Sequence, residues 1–192
     1  MKRLALVLTA CLLLQACAAA VVVGTGVAVS AGTDRRTLGA QVDDKGLYLK
    51  IVHVLSEDEE LWTASKISVE VLNARVLLIG QTPEQRYANR ATELTRNVEG
   101  VVEVLNEMRL KEPVSLSTRS NDTWITTKIR SKLLTNPEIP LNKIRVTTED
   151  SEVFLIGIVT KEEEDIAVDI ARHEKGVSKV IKVFERAEID ES

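Results

Sequence analysis

Aromatic side chains are scarce: Phe, Trp and Tyr together make up 3% of the 192 residues. Any core must therefore be built from Val, Ile and Leu. Histidine is as rare, with only His53 and His173. They stand at unrelated positions and make no Cys-His or His-x-x-x-His spacing, so no zinc site is expected. His53, beside Ile51 and Val54, reads as a partly exposed structural residue. No G-x-S-x-G elbow is present to hold an activated serine. Gly24-Thr25-Gly26 precedes no strand–helix unit that would make it a phosphate loop. Acid, base and nucleophile are nowhere gathered, so neither a catalytic site nor a cofactor is expected. An excess of cations is also missing: 25 Lys and Arg face 29 Asp and Glu, a formal charge of −4. Such a chain is a poor nucleic-acid binder, because phosphate contacts need clustered Lys or Arg.

Charge is absent altogether from Leu4 to Thr33, a run of 30 residues behind Lys2 and Arg3. Two cations ahead of a short Leu-rich stretch, Leu4 to Leu14, have the layout of a secretory signal. The stretch ends Leu14-Gln15-Ala16-Cys17 and is similar to the lipobox of bacterial lipoprotein precursors. That similarity implies cleavage before Cys17, lipid on its sulfur and, with Ala18 rather than Asp next, export to the outer membrane. A transmembrane anchor is the alternative, since about 20 residues span a bilayer. The small residues from Ala18 onward, with Gly24, Gly26 and Gly32, favour a helix less. Two or three acyl chains hold firmly, at about 0.8 kcal/mol per buried methylene. Cleavage also removes Cys11, leaving no thiol for disulfide chemistry. Losing Lys2 and Arg3 leaves 23 cations against 29 anions, a charge of −6.

The rest of the chain repeats itself. Leu77-Leu78-Ile79-Gly80 returns as Phe154-Leu155-Ile156-Gly157, and Lys66-Ile67-Ser68-Val69 as Lys143-Ile144-Arg145-Val146. Glu99-Gly100-Val101 matches Lys175-Gly176-Val177, Val104 matches Val180, and Lys50-Ile51 matches Lys128-Ile129. Each copy predicts the order αββαβ. First helices are expected over Leu47–Leu55 and Thr123–Leu134. Strands follow over Ile67–Leu72 and Arg75–Gly80, and over Ile144–Thr148 and Val153–Gly157, paired as hairpins. Thr82-Pro83-Glu84-Gln85 and Thr160-Lys161-Glu162-Glu163 have the form of capping boxes for second helices. Glu162 to Asp165 then favour a helix N-terminus rather than a cation site. Gly100 and Gly176 stop those helices, and Val101–Leu110 and Val177–Phe184 give third strands. Apolar residues fall on both phases of the last strand. Gly80 and Gly157 read as structural, letting another segment approach the strand end. Units this small bury little surface, so the two are expected to pack together.

Several stretches carry a family resemblance: Asp34-Arg35-Arg36-Thr37 with Gln41-Val42-Asp43-Asp44, then Asn121 to Lys128, then Glu152-Val153-Phe154-Leu155 with Gly157. They resemble the BON domain, an αββαβ module of bacterial envelope proteins. The resemblance implies an α/β fold of two tandem BON domains, each a three-stranded sheet packed against two helices. The expected layout is a signal peptide over 1–16, a lipidated linker over 17–40, a first domain over 41–111, a linker over 112–120 and a second domain over 121–188. It further implies a non-enzymatic outer-membrane lipoprotein that faces the periplasm, supports envelope integrity and binds anionic phospholipid through its second domain. An adaptor for protein partners in outer-membrane assembly is the alternative. The acidic runs Glu57–Glu60 and Glu188–Glu191 do not themselves favour an anionic surface.

Helical spacing alone picks out one candidate face. At 100° per residue, Ile125, Ile129 and Leu133 share an inward stripe, and Trp124, Thr127, Lys128, Ser131 and Leu134 point the other way. Trp favours a membrane–water interface. Lys128, Arg130 and Lys132 add cations, each contributing about 1 kcal/mol beside an anionic bilayer. Packing of Trp124 against the first domain or the linker is the alternative. The first copy has Gly46 at the position of Trp124, so the copies are not equivalent.

Overall fold

A computed structural model describes residues 36–139 and 143–187. Cys17, the signal-like run and the start of the 17–40 segment lie outside the described residues. Among those described, no helix is long and apolar enough to cross a membrane.

The first unit is α1 (Leu38–Glu57), α2 (Glu59–Ala64), β1 (Lys66–Leu72), β2 (Arg75–Thr82), α3 (Gln85–Arg96) and β3 (Glu103–Leu110). The second is α4 (Leu116–Thr135), β4 (Ile144–Glu149), β5 (Glu152–Val159), α5 (Lys161–Arg172) and β6 (Lys179–Arg186). In each three-stranded sheet the hairpin's second strand is central, antiparallel to the first and parallel to the third. Helices cover one face. Ile51, Leu55, Val76 and Leu78 form the first core, and Ile125, Ile129, Val153 and Leu155 the second.

Both first helices start earlier than their apolar periodicity suggests. Thr37 and Ser115 cap them, accepting from the amides of Ala40 and Thr118. Before Leu47 and Ile125, the only buried residues are Asp44 and Asp122, so these turns carry no apolar stripe. Helix α4 consequently begins inside the stretch 112–120 expected as the linker. Helix α2 was not expected. Asp58 caps it by accepting from the Leu61 amide, and buried Leu61 anchors it. The acidic residues Glu59 and Glu60 occupy its first turn, where the helix dipole favours them.

One expected cap fails and its counterpart holds. Thr160 accepts from the Glu163 amide while the Glu163 carboxylate accepts from the Thr160 amide, a complete capping box. Thr82 instead ends β2, opposite Leu110, and its carbonyl accepts from the Lys111 amide. Strand pairing claims it, and Glu84 takes the cap position without a side-chain bond. The glycines Gly80 and Gly157 do permit a close approach, by the partner strand. A Cβ there would sit 1.9 Å from the Lys66 carbonyl oxygen and 2.2 Å from that of Lys143.

The sheet faces away from the helices pack on each other. Leu72, Leu77 and Ile79 meet Phe154 and Ile156, all buried, with Leu105, Ile181 and Val183 at the margin. This second buried face explains the apolar residues on both phases of β6: Val180 and Phe184 meet the helix-side core, Ile181 and Val183 the other domain. Polar groups close the seam. Buried Glu149 receives Lys66 at 2.5 Å and the Gln81 amide at 2.9 Å. In return Arg145 meets Glu70 at 3.3 Å, and Arg109 meets Glu152 at 2.6 Å.

Candidate functional site

The first helix of each domain is locked to its hairpin by a buried carboxylate. Asn73 and Ala74, and Asp150 and Ser151, form two-residue turns with positive φ. Left-handed backbone is unfavourable for residues with a Cβ. Asp44 accepts from the amides of Asn73 and Ala74, and Asp122 from those of Asp150 and Ser151, all at 2.9 Å. These aspartates orient the helix faces, and sequence reasoning passed over their role. Their recurrence at one repeat spacing was the available signal.

With α4 held in this way, Ile125, Ile129 and Leu133 turn into the core and the opposite stripe faces solvent. Trp124 is 62% exposed and Leu134 51%. Thr127 and Ser131 are exposed between them, and Lys128 is half-buried. Packing of Trp124 into a domain seam, the alternative weighed from sequence, does not occur. The Lys128 ammonium lies 5.9 Å from the centre of the Trp124 ring, within cation–π range.

Glu174 joins this face without any hint from periodicity. Its buried carboxylate accepts from Lys128 and lies 2.7 Å from Lys132. The hydrogen bond from Lys128, then that from Lys132, holds its pKa down to about 2, against the opposing effect of burial. The three cations of this stretch therefore do not make one patch. Lys128 and Lys132 share a carboxylate, and Arg130 turns aside to donate to the Val146 carbonyl at 3.0 Å. In the repeat register Glu174 matches Val98, a residue packed on the first core. The sites of Trp124 and Glu174 thus differ together from their first-domain counterparts, Gly46 and Val98.

His53 and His173 are exposed on separate helix ends, near Glu57 and Asp169 respectively. Among the described residues no group of three His, Cys, Asp or Glu is placed to hold a metal. Glu164, near the start of α5, is paired with Lys182 at 2.9 Å and Arg186 at 3.3 Å.

Two segments of the chain, residues 43–112 and 121–188, match the family model described as BON domain. Over 184 residues the chain is 40% identical to the outer membrane lipoprotein DolP of Haemophilus influenzae, covering 96% of this chain and 95% of that one. It is 43% identical over 151 residues to a 21 kDa hemolysin of Actinobacillus pleuropneumoniae, covering 79% and 78%. Similarity to osmotically-inducible protein Y of Escherichia coli is 29% over 146 residues, covering 74% and 72%.

Proposed function

The chain belongs to the BON-domain family, carrying the domain twice, and from that premise we propose that it is a non-enzymatic envelope lipoprotein of the outer membrane. In this reading Cys17 carries the lipid, the two domains face the periplasm, and the second binds anionic phospholipid in support of envelope integrity. Similarity to an outer membrane lipoprotein over nearly the full length supports the location. The observation that carries lipid contact is the exposed stripe of α4. A soluble domain gains nothing from leaving Trp124 and Leu134 in water, whereas a headgroup layer accepts an indole at the interface. Lys128 supplies a cation beside the ring, the arrangement by which a surface helix lies on anionic lipid.

The test is co-sedimentation of the full chain with vesicles of phosphatidylglycerol in phosphatidylcholine. Trp124→Ala is expected to weaken binding on the order of tenfold, because the indole no longer enters the interface. An unchanged affinity overturns lipid contact through α4. Loss of a stoichiometric protein partner in that variant, with vesicle binding intact, favours the adaptor instead.

A further inference from the structure

A second feature of α4 lies roughly a quarter turn from the tryptophan stripe. Arg119, Thr123, Thr126 and Arg130 recur at spacings of four, three and four, which align them along one side of the helix. That side overlooks the free edge of β4. Between them is a recess of about 250 Å³, closed at one end by Lys66 of the first domain.

The charges in this recess do not cancel. Lys66 is neutralised by Glu149. Asp122, the carboxylate lining it, accepts from the hairpin amides of Asp150 and Ser151 and pairs with neither arginine. Among the described residues neither Arg119 nor Arg130 faces a carboxylate. Arg130 uses one nitrogen on the Val146 carbonyl, and a guanidinium carries five N–H donors in a planar fork. Thr148 Oγ1 accepts from Thr126 Oγ1 at 2.8 Å, so its own proton is left to donate. Two arginine forks and a hydroxyl donor converge on one recess, and a guanidinium grips an oxyanion such as phosphate with two parallel N–H donors.

The first domain provides the internal contrast. Its equivalent recess, about 400 Å³, lies between α1 and β1 and takes Arg145 from the other domain. There Arg36 is 2.7 Å from Asp44 and Arg145 is 3.3 Å from Glu70. Glu70 occupies the repeat position of Thr147, whose hydroxyl donates to Glu70 itself. In the first domain each arginine of the recess thus faces a carboxylate, whereas among the described residues neither arginine of the second-domain recess does.

We propose that the recess between α4 and the edge of β4, lined by Arg119, Arg130 and Thr148, is an anion site that takes the phosphate of a phosphomonoester or phosphodiester. It does not depend on Trp124 reaching a membrane. A phospholipid headgroup and a free phosphate present the same oxyanion, and the experiment separates them.

The isotope-labelled full chain is held in neutral phosphatidylcholine nanodiscs and titrated with inorganic phosphate, then with glycerol 3-phosphate. A parallel sample replaces part of the lipid by phosphatidylglycerol. The expected result is a saturable shift of the Thr126, Thr147 and Thr148 amides. Saturation by the soluble anions identifies a free phosphate compound. Saturation only in the phosphatidylglycerol discs identifies a headgroup. In either case Arg119→Gln with Arg130→Gln weakens the response about tenfold or more. Trp124→Ala leaves the response to soluble anions intact, so failure of α4 to dock on lipid is read separately. Shifts that never saturate in either sample, or that survive both arginine changes, overturn the site.

Discussion

The two domains share a backbone plan and differ in what each shows to the outside. Both lock a left-handed hairpin turn with a buried aspartate, Asp44 or Asp122. Both cover one sheet face with helices and press the other against the partner domain. Beyond that frame they diverge at matched positions. Gly46 is answered by Trp124, Val98 by Glu174 and Glu70 by Thr147. In the first domain's recess both arginines face carboxylates; in the second, two arginines have none among the described residues, and Trp124 is 62% exposed against 41% for Trp62 of the first domain. Duplication kept the residues that hold the fold, and the differences at these positions fall on α4, on the edge strand β4 and just after α5. In the proposed function one copy serves as support, and the other carries the surface offered to ligands.

The shared frame is tested most severely at the seam. Phe154 is 1% exposed between the sheets and matches Leu77 in the repeat. Phe154→Ala is expected to cost about 3–5 kcal/mol, measured by urea unfolding. Phe154→Leu, which makes the two faces alike, should cost far less. Equal losses for the two variants break the view that the seam responds to packed volume.

Next in size is the aspartate clamp. Asp122→Ala leaves two buried amides of a left-handed turn without their acceptor, at a cost of about 1.5–3 kcal/mol. Asp44→Ala should cost at least as much, because Asp44 makes the same two amide contacts and also accepts from Arg36 at 2.7 Å. A near-neutral result in either domain breaks the equivalence of the two clamps.

The smallest effect sharpens the difference at the candidate lipid face. Glu174 holds Lys128 and Lys132. Glu174→Gln removes one negative charge beside both lysines, and affinity for phosphatidylglycerol vesicles is expected to rise about fivefold, from roughly 1 kcal/mol. Vesicle co-sedimentation reads the change. The same carboxylate predicts a pH dependence. Its folded pKa, about 2, lies below the ordinary 4.5, so its stabilising contribution is present above pH 4.5. That contribution is lost as pH falls from 4.5 through about 2. Acid unfolding of Glu174→Gln should be flatter across this window, and identical acid profiles overturn the assignment.

Much of this was legible without coordinates. Repeats placed both units, turn residues placed both hairpins, and helical spacing turned Ile125, Ile129 and Leu133 inward and Trp124 outward. The misreadings share a cause. Thr82 has the form of a cap, yet pairing with β3 claims its backbone, and no local pattern reports that competition. The starts of α1 and α4 looked like linkers because their only buried side chains are aspartates. Glu174 went unnoticed because it lies 46 residues from Lys128, in a segment with no helical phase to relate them.

The sequence by itself determined the duplication, the order of elements and which side of each first helix enters the core. These follow from periodicity, the imprint of a local backbone geometry on the spacing of apolar residues. Only the tertiary structure decided which cations keep a carboxylate and which do not, and that each sheet has two buried faces. Such outcomes depend on groups brought together from distant parts of the chain, as with Lys66 and Glu149 across 83 positions. Charge balance in a folded protein is settled by where side chains meet in space, and proximity along the chain does not encode it.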